Sequence, residues 1–197
     1  IRTTEQFVEL FPGEENSADT RETFFTDEQT KEINDVGQFK DGFAIAYQAE
    51  EKAKPAKAWL THCPGTVAMA RGNEADSASS HFYVVIGQAP RYLDNIMTIF
   101  GRVVYGMEHI QAIQRTEMVQ GDYAVDHRKF TKIVSMKLMS EVAKTKQIHL
   151  EIENTASADF ADRLVKRRAR AGDFFYQKPP PVLDVCQIPI RSRRIKN

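Results

Sequence analysis

Residues 62–106 read HCPGTVAMARGNEADSASSHFYVVIGQAPRYLDNIMTIFGRVVYG, and the rest of the chain is interpreted from this stretch. It contains three apolar runs, Thr66–Ala70, Phe82–Ile86 and Thr98–Val104, and the loops between them are rich in small and polar residues. Apolar runs of this length between turn-forming segments are typical of short buried strands. The stretch therefore predicts the strand-rich part of a mainly β protein.

A candidate binding surface is outlined by polar and aromatic side chains at the loop edges of these runs. The side chains are Arg71, His81, Tyr83, Tyr92 and Leu93. A mixture of this kind favours a shallow, partly aromatic groove over a deep charged pocket.

Five linked segments follow one another in the order known from one enzyme family. They are Gly65–Arg71, Ser79–Val85, Tyr92–Asp94, Ile99–Val103 and Gly106–Glu108. They resemble the Gly-x-Leu/Val-x-Met-Ala strand, the Ser-x-Phe-Phe/Tyr-Ile strand, the Trp/Tyr-Leu-Asp segment, the Val-Phe-Gly-x-Val strand and the second helix of the cyclophilins, the peptidyl-prolyl cis-trans isomerases. The resemblance implies a mainly β chain with a few helices, built as a cyclophilin-like antiparallel β-barrel.

The function implied by the resemblance is isomerisation of X-Pro peptide bonds, which assists protein folding. The barrier to this rotation is about 18–20 kcal/mol, and the uncatalysed exchange takes tens to hundreds of seconds. A groove that holds the proline ring and hydrogen-bonds the twisted peptide lowers the barrier. No nucleophile, metal or cofactor is needed for this chemistry, and the expected partners are proline-containing polypeptides.

The resemblance carries over a substrate-binding set, position by position. Residues 70–72 correspond to the strand end that binds the backbone before proline, with Arg71 in place of the usual asparagine. Tyr83 and Leu93 correspond to pocket side chains, and Tyr92 replaces a tryptophan that favours cyclosporin binding, so we expect reduced sensitivity to that drug. The expected substrate-binding residues are Ala70, Arg71, Gly72, His81, Tyr83, Tyr92, Leu93 and Met97.

The family's catalytic arginine is not found at its expected place. It belongs to a Phe-x-Arg-Val strand that is followed by a Gly-Phe-x-x-Gln-Gly-Gly strand, and neither motif occurs upstream of Arg71. The catalytic residue is therefore unknown, and the barrel is expected to be incomplete on its N-terminal side, with exposed strand edges. Two explanations remain. Either the chain is a fragment whose missing part precedes Ile1, which we favour, or it is a divergent, inactive relative that only binds proline peptides.

Segments outside the central stretch resemble a divergent bacterial group of the same family. Gly37–Phe43 and Ala58–Cys63 are similar to an insertion of this group, and Asp173–Phe175 and Val185–Ile190 are similar to its C-terminal extension. Members of the group often carry signal peptides. The resemblance thus implies a periplasmic location, with the cytoplasm as the alternative.

The resemblance, together with shifts in composition along the chain, implies three parts. Residues 1–58 form an insertion or loop region, residues 59–141 the C-terminal half of the barrel, and residues 142–197 an extension with one helix and a final strand. In the first part we expect a short helix from Thr26 or Asp27 through Ile33, followed by a loop over Gly37–Trp59. In the second part we expect a helix with Met107, Ile110 and Ile113 on one face and a closing strand at Ile133–Met139. In the third part we expect a last strand at Val182–Ile190, preceded by a helix that Ser157 caps and whose apolar face consists of Phe160, Ala161, Leu164 and Val165.

Charge excludes several classes of partner. The chain has 27 basic and 27 acidic residues, so no net field attracts nucleic acid or anionic lipid. Basic residues cluster at 166–170 and 191–196, where a solvated helix end and a frayed terminus are expected. No apolar run approaches the roughly 18–20 residues that cross a bilayer.

The two cysteines, Cys63 and Cys186, allow two interpretations. In an oxidising compartment they form a disulfide between the tail and the barrel, and otherwise they are buried free thiols. His62 lies beside Cys63, but the five histidines show no ligand spacing, so no metal site is expected.

Overall fold

The computed structural model describes residues 3–4, 7–9, 35–49, 55–115, 118–119, 122–123, 130–179 and 183–195. Within these ranges the chain is mainly β. In chain order, the strands are β1 (Thr3–Thr4), β2 (Phe7–Glu9), β3 (Asp35–Lys40), β4 (Phe43–Ala49), β5 (Pro55–Leu60), β6 (Thr66–Met69), β7 (Phe82–Val84), β8 (Ile99–Arg102), β9 (Met118–Val119), β10 (Asp122–Tyr123), β11 (His149–Glu153) and β12 (Ser192–Ile195). The α-helices are α1 (Met107–Gln111) and α2 (Ala158–Ala169), and 3-10 turns lie at Arg91–Leu93, Met139–Glu141, Lys144–Lys146 and Val185–Gln187.

The three apolar runs of the central stretch form one antiparallel sheet, in the order β7-β6-β8. Their prediction as strands is confirmed. Ala68 in the middle strand is fully buried and lies opposite Tyr83 of β7 and Ile99 of β8. Because side chains alternate along a strand, this register determines which of them share a face of the sheet.

Residues 35–60 form a second antiparallel sheet, in the order β3-β4-β5. The loop predicted over Gly37–Trp59 is therefore wrong. A two-residue turn at Asp41 and Gly42, with φ of 51° and 76°, joins the first two strands. Positive φ at both positions favours Asp-Gly and matches the right-handed twist of a hairpin. A Cβ on Gly42 would also lie 3.0 Å from the Ile152 side chain, so the turn packs closely against β11.

The apolar core lies between this hairpin and the C-terminal extension. Phe39 and Phe160 meet edge to face with ring centroids 5.5 Å apart. The buried cluster consists of Phe39, Phe160, Leu164, Leu183, Val185 and Ile188. The predicted cap of α2 is confirmed, because the Ser157 hydroxyl accepts a hydrogen bond from the Phe160 N–H. Val165, predicted on the apolar face of the helix, is instead 66% exposed.

The chain end is ordered differently from the prediction. Residues 183–190 contain a 3-10 turn, in which the Asp184 carboxylate accepts from the Cys186 N–H, so the strand predicted at Val182–Ile190 is wrong. The last strand is β12, which pairs with β11, and Arg193 donates to Glu151 there. This basic segment is therefore not frayed over residues 192–195, because an acidic strand lies beside it. β1, β2, β11 and β12 form a four-stranded sheet in that order.

The closing strand predicted at Ile133–Met139 is also wrong. Residues 131–138 have no regular structure and are exposed throughout. A high strand propensity means only that the side chains suit a half-buried sheet, and a strand also needs a partner to pair with. No described strand pairs with these residues. Similarly, α1 ends at Gln111, so Ile113 lies beyond it and is 45% exposed. The helix predicted through Ile33 lies outside the described residues.

The sheets do not close into a full barrel within the described part of the chain. A cavity of about 610 Å³ lies between the β3-β4-β5 sheet, β8 and the tail, and its walls include Phe43, Leu60, Arg102 and Ile190. In the same ranges, no helix is long and apolar enough to cross a membrane.

Candidate functional site

The loop before β6 is built from buried polar groups. The Thr61 N–H and hydroxyl both donate to the Ala44 carbonyl at 3.0 Å, and the Thr66 hydroxyl donates to the Thr61 carbonyl at 3.0 Å. Gly65, with φ of 88°, donates its N–H to the carbonyl of Val85, directly after β7. These bonds hold the loop rigidly between two sheets, and the loop in turn positions His62.

His62 lies at the centre of a hydrogen-bonded chain of side chains. Its ring is fully buried, with Nδ1 2.9 Å from Asp94 Oδ1 and Nε2 2.8 Å from the Tyr83 hydroxyl. The same Asp94 oxygen accepts the His62 backbone N–H at 2.8 Å, and the other carboxylate oxygen is paired with Arg91. Three separate segments of the chain therefore meet at one buried ring.

Tyr83 is half-buried on β7, with its hydroxyl directed at His62. Burial raises the pKa of this hydroxyl above its ordinary value of 10.0, and the nearby Tyr92 and Asp94 raise it further. The phenol is therefore protonated at neutral pH and acts as a hydrogen-bond donor.

The strand end after β6 carries the predicted backbone-binding residues 70–72. The Ala70 N–H donates to the His81 carbonyl at 2.9 Å. The Arg71 guanidinium donates to the Gly72 carbonyl at 2.8 Å and reaches the Ile96 carbonyl at 3.4 Å. Arg71 thereby connects the strand end to the loop that carries Met97.

The turn Arg91–Leu93 carries two of the predicted binding residues. Leu93 is half-buried, whereas Tyr92 is 78% exposed and projects from the surface. The Met97 N–H donates to the Leu93 carbonyl at 3.2 Å, which folds the following loop back onto the turn. Asp94, directly after Leu93, joins this turn to His62 and so to Tyr83.

The structure links several of the sequence-predicted binding residues in pairs, whereas none of the eight lines the cavity of about 610 Å³. Direct bonds link Ala70 to His81, Arg71 to Gly72, and Leu93 to Met97, and Tyr83 is linked to the Leu93 turn through His62 and Asp94. His81 itself is exposed, and its ring nitrogen is 3.5 Å from the Ser80 hydroxyl. Their role in binding stays a prediction.

One arginine with a family-like context lies elsewhere. Phe100–Val103 matches Phe-x-Arg-Val by residue type, but Arg102 donates to the Gly42 carbonyl and lines the interior cavity. Burial lowers the pKa of its guanidinium from the ordinary value. Arg102 therefore holds the hairpin turn against β8.

The two cysteines are joined in a disulfide that ties the tail to the loop carrying His62. Among the described residues, no group of three or more His, Cys, Asp or Glu side chains is placed to hold a metal ion. His62 binds protein groups through both of its ring nitrogens, so nothing in its geometry fits a ligand role.

Sequence reasoning missed His62 and Asp94 as parts of this site. His62 lies 21 residues from Tyr83 and 32 from Asp94, and no motif links the three positions. The only available signal was that Asp94 follows the pocket residue Leu93 directly.

Comparison with known proteins places this chain in a family. The model of the cyclophilin type peptidyl-prolyl cis-trans isomerases matches residues 6–138, which is more than half of the 197 residues. Among solved structures, the chain is similar to the crystal structure of cyclophilin AquaCyp293 from Hirschia baltica, with a TM-score of 0.65 and 20% sequence identity. The match covers 88% of this chain and 59% of that one, so the chain spans well under two thirds of its neighbour's length. The comparison with curated proteins found no match. The chain belongs to the cyclophilin-type peptidyl-prolyl cis-trans isomerase family.

Proposed function

We propose that this chain supplies the pocket wall of a peptidyl-prolyl cis-trans isomerase that acts on X-Pro bonds in unfolded or folding polypeptides. One observation carries the proposal. In this cyclophilin-type chain, the Tyr83 hydroxyl is hydrogen-bonded to His62, and His62 is bonded to Asp94, which directly follows Leu93. The strand end at Ala70–Gly72 belongs to the same proposed site.

The chemistry of the groove suits a proline ring. An aromatic ring and a leucine side chain offer an apolar surface, and the adjacent strand end offers backbone groups to the residue before proline. Holding both sides of the X-Pro bond lets the site bind the twisted peptide better than either planar form. Tyr92, exposed at the rim, contacts residues that flank the proline.

The proposed activity also needs a donor aimed at the prolyl nitrogen. Arg71, the one arginine among the eight proposed binding residues, is committed to the carbonyls of Gly72, Asn73 and Ile96. Among the described residues, we therefore assign this donor role to none of the eight proposed binding side chains.

The same engagement of Arg71 favours a second candidate function. Without a free donor, the groove binds proline peptides but does not accelerate their isomerisation. The chain would then be a binding module that presents or retains unfolded clients.

An oxidising location, such as the bacterial periplasm, is part of the proposal. The disulfide between Cys63 and Cys186 supports it, because disulfides persist in oxidising compartments and are rare in the cytosol.

The test measures cis-trans exchange of an Ala-Ala-Pro-Phe peptide by NMR in the presence of the native polypeptide that contains this chain. Tyr83→Ala and Leu93→Ala should each lower the exchange rate at least tenfold, because each removes apolar contact to the proline ring. Tyr176→Ala and Leu138→Ala, at positions 95% and 69% exposed, are the matched controls and should change nothing. Unaltered exchange in both pocket variants, with folding intact, would show that the pocket is assigned wrongly. Peptide binding without exchange would establish the second candidate function.

A further inference from the structure

The polar chain beneath the groove joins three elements that share no sequence motif. His62 comes from the loop before β6, Tyr83 from β7, and Asp94 from the end of the turn at Arg91–Leu93. Tyr83 is itself one of the two proposed pocket side chains, and Asp94 directly follows the other, Leu93. A single buried imidazole therefore braces both sides of the proposed proline pocket.

The partners of His62 determine where its proton lies. A carboxylate can only accept, so the Nδ1 atom that faces Asp94 carries a proton. In the neutral ring, Nε2 then has a lone pair and accepts the hydroxyl proton of Tyr83. The phenol consequently turns its one donor away from the groove and leaves its ring as the surface that a ligand meets.

Fixing a side chain before binding removes part of the entropy that a ligand would otherwise have to overcome. The planes of the His62 and Tyr83 rings lie 13° from parallel, and the Tyr83 hydroxyl is 2.8 Å from His62 Nε2. Asp94 is itself held by Arg91 and by the His62 backbone N–H. Each member of the chain is thus fixed by the next, and the phenol ring has one favoured position.

We infer that His62 is a positioning residue for peptide recognition: held by Asp94 in the Nδ1-protonated form, it anchors the Tyr83 hydroxyl and keeps the pocket shaped for a proline ring. The inference rests on the proposed function, because it assigns a role within the same groove.

The experiment uses the full chain and two substitutions, each of which keeps the hydrogen bond of only one His62 ring nitrogen. In His62→Asn, the side-chain amide can still donate to Asp94 but is too short to reach Tyr83. In His62→Gln, the amide oxygen can take the place of Nε2 and accept from Tyr83. His109→Asn is the control, because His109 is 83% exposed at α1.

The affinity for Ala-Ala-Pro-Phe is measured by NMR titration, and the protonation of the His62 ring by nitrogen-15 shifts. We expect a protonated Nδ1 and an unprotonated Nε2 in the parent chain. His62→Asn should weaken binding about five- to tenfold, His62→Gln should recover most of that loss, and His109→Asn should have no effect. Tyr83→Phe should weaken binding as much as His62→Asn, and the double variant should be no weaker than either single one.

Two results would overturn the inference while leaving the proposed function intact. One is a parent ring protonated at Nε2 only. The other is a His62→Asn chain that is less stable yet binds the peptide within twofold of the parent, which would mean that His62 has a purely structural role. A parent chain that binds no proline peptide would refute the proposed function itself and, with it, the pocket role of His62.

Discussion

Two regions of this molecule are held together by different forces. Between the β3-β4 hairpin and the C-terminal extension, Phe39, Phe160 and Leu164 form a buried apolar cluster. Beside the β7-β6-β8 sheet, the groove is braced by His62, Asp94 and Tyr83, and its rim residue Tyr92 is 78% exposed. Burial of apolar side chains stabilises the fold but does not fix their orientation. Hydrogen bonds fix the orientation of side chains, although each adds little to the net free energy of folding. The first region therefore provides stability, and the second provides a shaped surface.

The largest effect is expected from Phe160→Ala in the apolar region. Phe160 is fully buried, and removing a buried phenylalanine ring costs about 3–5 kcal/mol of unfolding free energy. Denaturant unfolding measures the loss. Val165→Ala, on the exposed side of the same helix, should cost less than about 0.5 kcal/mol. Equal effects of the two substitutions would contradict the assignment of the core to the Phe160 face.

A somewhat smaller effect is expected from the disulfide that connects the two regions. Replacing Cys63 and Cys186 together by serine releases a link between residues 123 positions apart, at a cost of about 2–5 kcal/mol. Unfolding of the parent with and without a reductant should show the same loss, and the reductant should leave the serine variant unchanged. A parent whose stability does not respond to reduction would show that the cross-link contributes nothing.

The smallest effect is expected from titration of Tyr83 in the groove. Its pKa is raised in the folded state, so the stability tied to its protonated form is complete below pH 10.0 and is lost as the pH rises through the folded pKa. As the pH rises above about 10, the parent should lose more unfolding free energy than Tyr83→Phe does. Tyr176→Phe, at a position 95% exposed, should follow the parent. Parallel curves for parent and Tyr83→Phe would show that burial does not shift this hydroxyl.

The two regions also differ in how far their structure follows from local sequence. The strands β6, β7 and β8 are predictable, because each is an apolar run between turn-forming residues, and Ser157 marks the start of α2 in the same way. The β3-β4 hairpin was missed although Asp41-Gly42 between alternating apolar residues is a strong hairpin signal. The wrong strand at Ile133–Met139 shows the opposite case, in which a local preference has no partner strand to satisfy it among the described residues.

The site was predictable only in its outline. Single side chains such as Tyr83 and Leu93 could be placed by family resemblance, because each lies in a recognisable segment. The link through His62 could not be found in this way, since only the tertiary fold brings Tyr83 and Asp94 within 3 Å of the His62 ring.

The most direct test of the division into two regions is an NMR titration of the full chain with a proline-containing peptide, in which the shift of every backbone amide is followed. We expect the amides of Arg71, Gly72, Tyr83 and Leu93 to shift most, while those of α2 stay unchanged. If the largest shifts instead occurred around Phe160 and the cavity lined by Arg102, with none at these four amides, the peptide would bind in the apolar region and the division into two regions would be wrong.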